Sequence, residues 1–357
     1  MKILILDDGY KGNFNQSLGI AKWFPKGQLN IINVTLKGPQ YSLFGRKGKS
    51  PFSVKIVAIL SFFGAWTLAK RCLRFIWDES YKIDKKEFDL IISAGSMLAP
   101  INLVLTKNLN RAKSVNIMTP SMIRLKLFDF LVIPYHDYLK LRKKNLQNLI
   151  VTLGAPNTLT DNLLFSKKDE YEKKFKVDKT KKTIGVLIGG DDQNYKISYS
   201  YVKTLTDTLF SEKNRYNFIF TTSRRTDTDV VQFLKQRLLE EPSVIYSEFP
   251  EHSTHSLYPQ ILSLCDFIIV TEDSVNMVSE ASSLGVPVLI IQVERKKKKK
   301  LIFDFTIEKF VEKGYSEYVS LDKLGSLYSK LRSTSPINNK KLREAEECAQ
   351  KILEKLN

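Results

Sequence analysis

Residues 270–291, VTEDSVNMVSEASSLGVPVLII, place an apolar strand, a polar turn, a helix carrying Glu280, and a second apolar strand introduced by Gly285 and Pro287 in direct succession. A carboxylate just inside a helix that starts at a strand's carboxyl end suits ribose hydroxyls, and the N–H groups of the helix start suit phosphate. Thr271, Asp273 and Ser274 are of the types that cap such a helix. The plainer alternative is a surface Glu on an exposed helix. Two more turns carry similar chemistry. FIFTTSRRTD sets Thr221, Thr222, Ser223, Arg224 and Arg225 at a strand end, and guanidinium groups grip phosphate bidentately. GVLIGGDDQNYKIS offers Gly189 and Gly190, whose bare backbone lets N–H groups approach a phosphate. Asp191 and Asp192 oppose simple phosphate cradling and suit a helix cap or a sugar hydroxyl.

Near the amino terminus, DDGYKGNFNQSLGIA carries Asp8, with Gly9 and Gly12 for a tight backbone path and Asn13, Asn15 and Gln16 as amide donors and acceptors. Any βα turn favours Gly and Asn, so this loop alone is a weak signal. His136 and Asp137 follow another strand. Read as extended chain, adjacent side chains point to opposite faces and cannot address one substrate.

These turns require a doubly wound scaffold. Apolar runs at 3–6, 31–34, 90–92, 115–117, 130–133 and 149–152 alternate with helical segments near 14–24, 54–76 and 100–109. A second series runs through 183–188, 218–221, 244–246, 267–270 and 288–291, with helices near 199–211, 228–240, 274–284 and 301–313. The charged stretch SKKDEYEKKFKVDKTKK, 166–182, reads as surface helix and linker. The expectation is an α/β protein of two Rossmann-like domains facing a cleft: 1–165 as an acceptor and membrane-facing domain, 183–335 as a nucleotide-sugar donor domain, and a C-terminal helix within 336–357.

With 357 residues, 43% hydrophobic and 26% charged, the chain has the composition of a globular protein of two domains. Lys and Arg number 56 against 38 Asp and Glu, a net +18 that suits an anionic partner or reflects a generally Lys-rich proteome. Cys72, Cys265 and Cys348 are too scattered for a disulfide framework or zinc site, so a reducing compartment and no metal are expected. MKILILDD lacks the pattern of a secretory signal, pointing to the cytoplasm. In FSVKIVAILSFFGAWTLAKRCLRFI, 52–76, the uncharged run Ile56–Ala69 is shorter than the ~20 residues of a spanning helix. Flanked by Arg46, Lys47, Lys49, Lys70, Arg71 and Arg74, with Phe62, Phe63 and Trp66 inside, it reads either as a helix lying in anionic headgroups or as core. The run RKKKKK, 295–300, is a solvated or flexible segment first and a diphosphate or lipid contact second. No RNA-binding motif or basic recognition helix is present, which disfavours nucleic acid.

DGYKGNFNQSLGIA, FDFLVIPYHD, VTLGAPN, VLIGGDDQNY, TTSRRT and VTEDSVNMVSEASSLGVPV, in this order, resemble the family of the plant mitochondrial fission factor named for elongated mitochondria, especially its bacterial members. Asn13 and Tyr135 depart from it, standing where relatives often have His and an acidic residue. The Ser279, Glu280, Gly285 and Pro287 pattern is similar to the donor half of GT-B glycosyltransferases such as the lipid II-forming N-acetylglucosaminyltransferase. That resemblance implies a nucleotide-sugar substrate and no bound cofactor or metal. Ribose would lie on Glu280, diphosphate at Ser274, Arg224 would neutralise the leaving nucleotide, and a base from the first domain, Asp8, His136 or Asp137, would take the acceptor proton. The acceptor would be lipid-linked or belong to the envelope, at the inner membrane face. The plant relative's recruitment of a dynamin-like GTPase implies the other reading, a non-catalytic membrane adaptor.

Overall fold

Apolar runs bounded by Gly, Asn and Asp turns fold here as two separate parallel sheets, each covered by helices on both faces. The computed structural model describes residues 1–25, 27–34, 52–77, 83, 87–109, 111–249, 257–258, 260–297, 299–333 and 340–356. Arg46, Lys47 and Lys49 lie outside them. The chain divides into unit 1, Met1–Thr158 with Arg343–Asn357, and unit 2, Leu159–Leu342.

Unit 1 runs β1 (Lys2–Asp7), α1 (Lys11–Ala21), β2 (Gln28–Asn33), α2 (Phe52–Phe62), α3 (Trp66–Ile76), β3 (Leu90–Ala94), α4 (Ala99–Asn108), β4 (Lys113–Ile117), β5 (Phe130–Pro134), α5 (Tyr135–Leu141) and β6 (Leu149–Thr152). Its strand order is β2-β1-β3-β4-β5-β6. Alternation along β1 sends Ile3 and Ile5 into a core with Ile20 and Phe24, and Leu4 and Leu6 into one with Val57 and Leu73. The expected single helix of 54–76 is a helical pair broken at Gly64, whose φ of +76° is the left-handed value that glycine adopts without steric cost. Val54, Val57 and Ala58 are core, so the core reading holds on one face, whereas Ile56 and Ile59 on the other face are exposed.

Unit 2 runs α6 (Asp161–Phe165), α7 (Lys168–Lys174), β7 (Lys182–Ile188), β8 (Tyr195–Lys196), α8 (Tyr199–Phe210), β9 (Tyr216–Thr222), α9 (Thr228–Leu239), β10 (Val244–Glu248), β11 (Phe267–Thr271), α10 (Val275–Ser282), β12 (Val288–Ile291), β13 (Glu294–Arg295), α11 (Asp304–Glu312), β14 (Glu317–Val319) and α12 (Leu327–Ser333). Its large sheet has the order β10-β9-β7-β11-β12-β14. Counted along the chain this is 3-2-1-4-5-6, the order of doubly wound dinucleotide-binding sheets, with the reversal between β7 and β11.

The domain limits differ from those expected. The charged stretch 166–182 is no linker: it contains α7, whose Tyr171 is buried in unit 2. The last helix, α13 (Glu344–Leu356), belongs to unit 1. Its Ala345, Cys348, Ala349 and Ile352 recur at helical spacing and fill the core face of β1 and α1. At its start, buried Glu344 accepts the Leu153 and Gly154 N–H groups at 2.6 and 3.1 Å. Burial pushes that carboxyl up to about 7 although both bonds pull it down.

Candidate functional site

In an open α/β sheet, ligands bind outside the strands' carboxyl ends where the strand order reverses. In unit 2 that edge carries the turns after β7, β9 and β11, adjacent strands and hence ~5 Å apart. These turns are bonded to one another. The Gly189 N–H donates to Thr271 Oγ1 at 2.8 Å, and the Gly190 N–H to Asp273 Oδ2 at 2.9 Å. Thr271 donates its own proton to Asp273 Oδ1 at 2.7 Å, and Thr226 donates to the Gly189 carbonyl at 2.6 Å. The two N–H groups expected to meet a phosphate are therefore satisfied internally. What requires glycine is packing: a Cβ on Gly189 would lie 2.1 Å from Asp273 Oδ2, and one on Gly190 2.2 Å from the Arg225 carbonyl carbon.

Asp273 is fully buried at its side chain, and burial raises its pKa against the pull of Thr271, Gly190 and Arg225. Arg225 donates to Asp273 Oδ2 at 3.0 Å and to the Gly190 and Asp191 carbonyls at 3.1 and 3.3 Å, so this arginine is structural. Arg224, exposed like Arg225, differs in making no hydrogen bond or ion pair to a described residue. Ser223 accepts the Arg225 N–H at 3.0 Å and shapes the turn, while the buried Thr222 hydroxyl has no hydrogen-bond partner among described residues. Asp191 and Asp192 cap no helix. They accept N–H groups of Ile197, Asn194 and Tyr195 at 2.6–2.8 Å and build the turn into α8, which Ser198 caps.

Ser274 occupies the N-cap of α10, but its side chain makes no capping bond, and Asp273 is committed elsewhere. The first helical bond is Val278 N–H to the Ser274 carbonyl. The three N–H groups before it point out of the helix start, as geometry requires. Glu280, on the same helix, accepts the hydroxyl of Tyr258, whose phenol burial and Glu280 keep protonated. Tyr258 as partner of Glu280 was not legible in the sequence, because sequence distance hides a contact made through tertiary packing.

A second polar cluster lies beside this edge. Glu272, fully buried, accepts from Arg295 Nε at 3.2 Å and from a second guanidinium nitrogen at 2.7 Å. It also accepts from the Tyr318 hydroxyl at 2.9 Å and the Val293 N–H at 3.2 Å. Arg295 reaches Asp304 as well, at 2.8 Å. The expected solvated basic run is thus anchored at its first residue. Arg295 pairs with Tyr195 in the β8–β13 ladder, and Lys296 donates to Asp191 Oδ2 at 3.0 Å.

In unit 1 the strand order reverses between β1 and β3. Asp8 accepts the Asn13 amide at 2.9 Å and the Tyr10 N–H at 3.1 Å, and a Cβ on Gly95 would lie 3.0 Å from that amide nitrogen. Gly9 takes the left-handed turn at φ +77°, whereas Gly12 lies in the first turn of α1 and Gln16 is buried on it. His136 and Asp137 are in α5, not in extended chain, and their side chains come within 4.0 Å. Burial lowers the His136 pKa, with Asp137 acting the other way. Asp137 also meets Lys140 at 3.3 Å. Asp8 follows β1 and Asp137 follows β5, three strand spacings apart or roughly 14 Å, so they are alternatives rather than partners.

Two α/β units with parallel six-stranded sheets, the second in nucleotide-binding order, define a GT-B-like protein of two Rossmann-type domains. The chain belongs to the family described as "Mitochondrial fission ELM1", which residues 11–356 match. It is 25% identical over 271 residues to the uncharacterized protein RP120 of Rickettsia prowazekii (strain Madrid E), covering 67% of this chain and 75% of that one. Among solved structures it is similar to UDP-GlcNAc 2-epimerase of Neisseria meningitidis bound to UDP-GlcNAc, at TM-score 0.59 and 13% identity over 100% of this chain and 99% of the other. The UDP-GlcNAc 2-epimerase of Methanocaldococcus jannaschii gives 0.56 and 14%, over 99% and 100%. Likeness at such identities establishes the fold and leaves the reaction to the site's own chemistry.

Proposed function

We propose that the protein is a GT-B-type glycosyltransferase that binds a nucleotide sugar on unit 2 and passes the sugar to a lipid-linked or cell-envelope acceptor on the cytoplasmic side of a membrane. One observation carries this reading: at the reversal edge of the second sheet, the uncapped start of α10 and the exposed Arg224 guanidinium offer charge and N–H groups to a diphosphate, with Glu280 further along the same helix. Arg224 would stabilise the charge that grows on the departing nucleotide. Glu280 would take the ribose by sharing its carboxylate with Tyr258. Asp8 or Asp137 is the candidate base for the acceptor hydroxyl. The nucleotide sugar is substrate, and the chemistry calls for no cofactor.

The test is thermal unfolding of wild type and Glu280→Ala with uridine, cytidine, guanosine and thymidine nucleotides and their sugar derivatives. A ligand at 100 times its Kd adds about 2.7 kcal/mol, a rise of roughly 5–11 °C for a domain of this size. We expect a rise with one nucleotide that disappears in Glu280→Ala. No rise with any nucleotide, in folded protein, would exclude the donor site and favour the adaptor. The adaptor has its own support, since Gly189, Gly190, Asp273 and Arg225 satisfy one another without a ligand.

Membrane association is supported by α2 and α3. No described helix is long and apolar enough to cross a membrane. Residues 52–76 nevertheless contain no acidic residue, and Phe63 and Phe75 are 74% and 83% exposed beside Lys70, Arg71 and Arg74. Such a surface suits the headgroup layer of an anionic bilayer. The protein should sediment with phosphatidylglycerol vesicles at low salt and be released as screening rises. Phe63→Asp with Phe75→Asp should leave most of it in solution. Equal binding by the double variant would remove these helices from the account.

A further inference from the structure

Beside α11 lies a pocket of about 680 Å³, within the range that holds small organic molecules. Its apolar wall is built by Ile307 and Val311, one turn apart on α11, and by the ring of Tyr318 on β14. The Tyr318 hydroxyl is given to Glu272, so the ring is what this residue offers a ligand. We propose that the pocket binds a small apolar molecule bearing a single carboxylate, which Lys299 holds.

The head group follows from which lining charges already have partners. Each lining carboxylate has its cation. Glu272 and Asp304 share Arg295 at 2.7 and 2.8 Å, Glu308 meets Lys300 at 2.6 Å, and Glu312 meets Lys309 at 2.6 Å. Lys300 is engaged a second time, its ammonium lying 4.3 Å from the centre of the Phe305 ring. Lys299 differs from all of these: it is exposed and lines the pocket, yet makes no ion pair or hydrogen bond with a described residue. A cationic ligand would therefore have to compete with an existing pair for any carboxylate, whereas an anion meets an ammonium with nothing to displace. The charge that fits is a single one. A phosphate monoester carries about −1.5 to −2 at neutral pH, and the part that Lys299 leaves uncompensated would face Glu308 and Glu312 in the same pocket. A carboxylate is matched by one ammonium, and its apolar body can lie on Ile307, Val311 and the Tyr318 ring.

The experiment is calorimetric titration of the full chain with 1-naphthaleneacetate, beside 1-naphthaleneacetamide as its neutral isostere and 1-naphthyl phosphate as the more highly charged anion. The acid should bind the wild type about fivefold more tightly than either, the upper effect of one exposed ion pair. Lys299→Gln should bring the acid down to the affinity of the amide. Val311 is 37% exposed, so Val311→Trp can fill the pocket from the surface of α11 and should remove binding of all three. Both variants are compared with wild type in urea to establish that they are folded. A Kd for the acid above about 10 mM, on the order of the weakest affinity worth assigning, would overturn the proposal. So would an amide or phosphate that binds wild type as tightly as the acid, or acid binding that folded Lys299→Gln or folded Val311→Trp leaves unchanged.

Discussion

Arg295→Met should destabilise unit 2 by about 3–5 kcal/mol, the usual cost of removing one partner from a buried ion cluster. The cause is what remains behind. Glu272 has a side chain with no solvent exposure, and Asp304 one with 10%. Both lose the guanidinium that reaches them at 2.7 and 2.8 Å. Tyr318 and the Val293 N–H still donate to Glu272, but neither carries charge. For a domain of this size the loss corresponds to about 6–20 °C in Tm. Lys297→Met, two residues on and exposed, should change stability by no more than about 0.5 kcal/mol. Urea midpoints of the two variants make the comparison, with an unchanged m-value showing that the same unfolding is measured. If Arg295→Met matches Lys297→Met, the cluster contributes nothing net.

That contrast also shows what a sequence hides. Within RKKKKK all six residues read as one solvated run, because composition cannot distinguish a cation beside buried carboxylates from one in water. Glu272 lay inside the motif singled out first, yet its partner is 23 positions away and met only once β13 is laid against β8. The strands, by contrast, were legible. Runs such as Val288–Ile291 match their strand to the residue, since a parallel strand buried on both faces is continuously apolar. Three-residue β14 was missed, being too short to leave a period. α5 was missed because its seven residues begin at a Pro-Tyr-His stretch that reads equally well as extended chain. The charged stretch 166–182 misled in the other direction: most of its residues face solvent, and it packs on unit 2 through buried Tyr171 and through Phe175 against the Tyr246 ring.

The paired arginines at the reversal edge should separate structure from binding. Arg225→Met should lower stability by about 1.5–3 kcal/mol, the range for hydrogen bonds to charged groups. The side chain of Arg225 is 41% exposed, so water softens the loss, but Asp273 beneath it is fully buried and keeps only Thr271 and Gly190. The sign with pH follows. Burial already raises the Asp273 pKa in the folded state, and losing Arg225 raises it further. A carboxyl raised on folding contributes stability below its unfolded pKa and loses it as pH climbs through the folded value. The deficit of Arg225→Met relative to wild type should therefore widen as pH rises above the ordinary carboxylate range. Arg224→Met should leave stability within about 0.5 kcal/mol at every pH, because the side chain is exposed and makes no hydrogen bond or ion pair with a described residue. On the donor reading it should nevertheless abolish most of the nucleotide-dependent rise in Tm. Intact nucleotide binding in Arg224→Met would take the diphosphate away from this turn and leave α10 as the only candidate for it. A pH-independent deficit in Arg225→Met would mean that Asp273 keeps one protonation state in both proteins across the range, so that its titration plays no part in the loss.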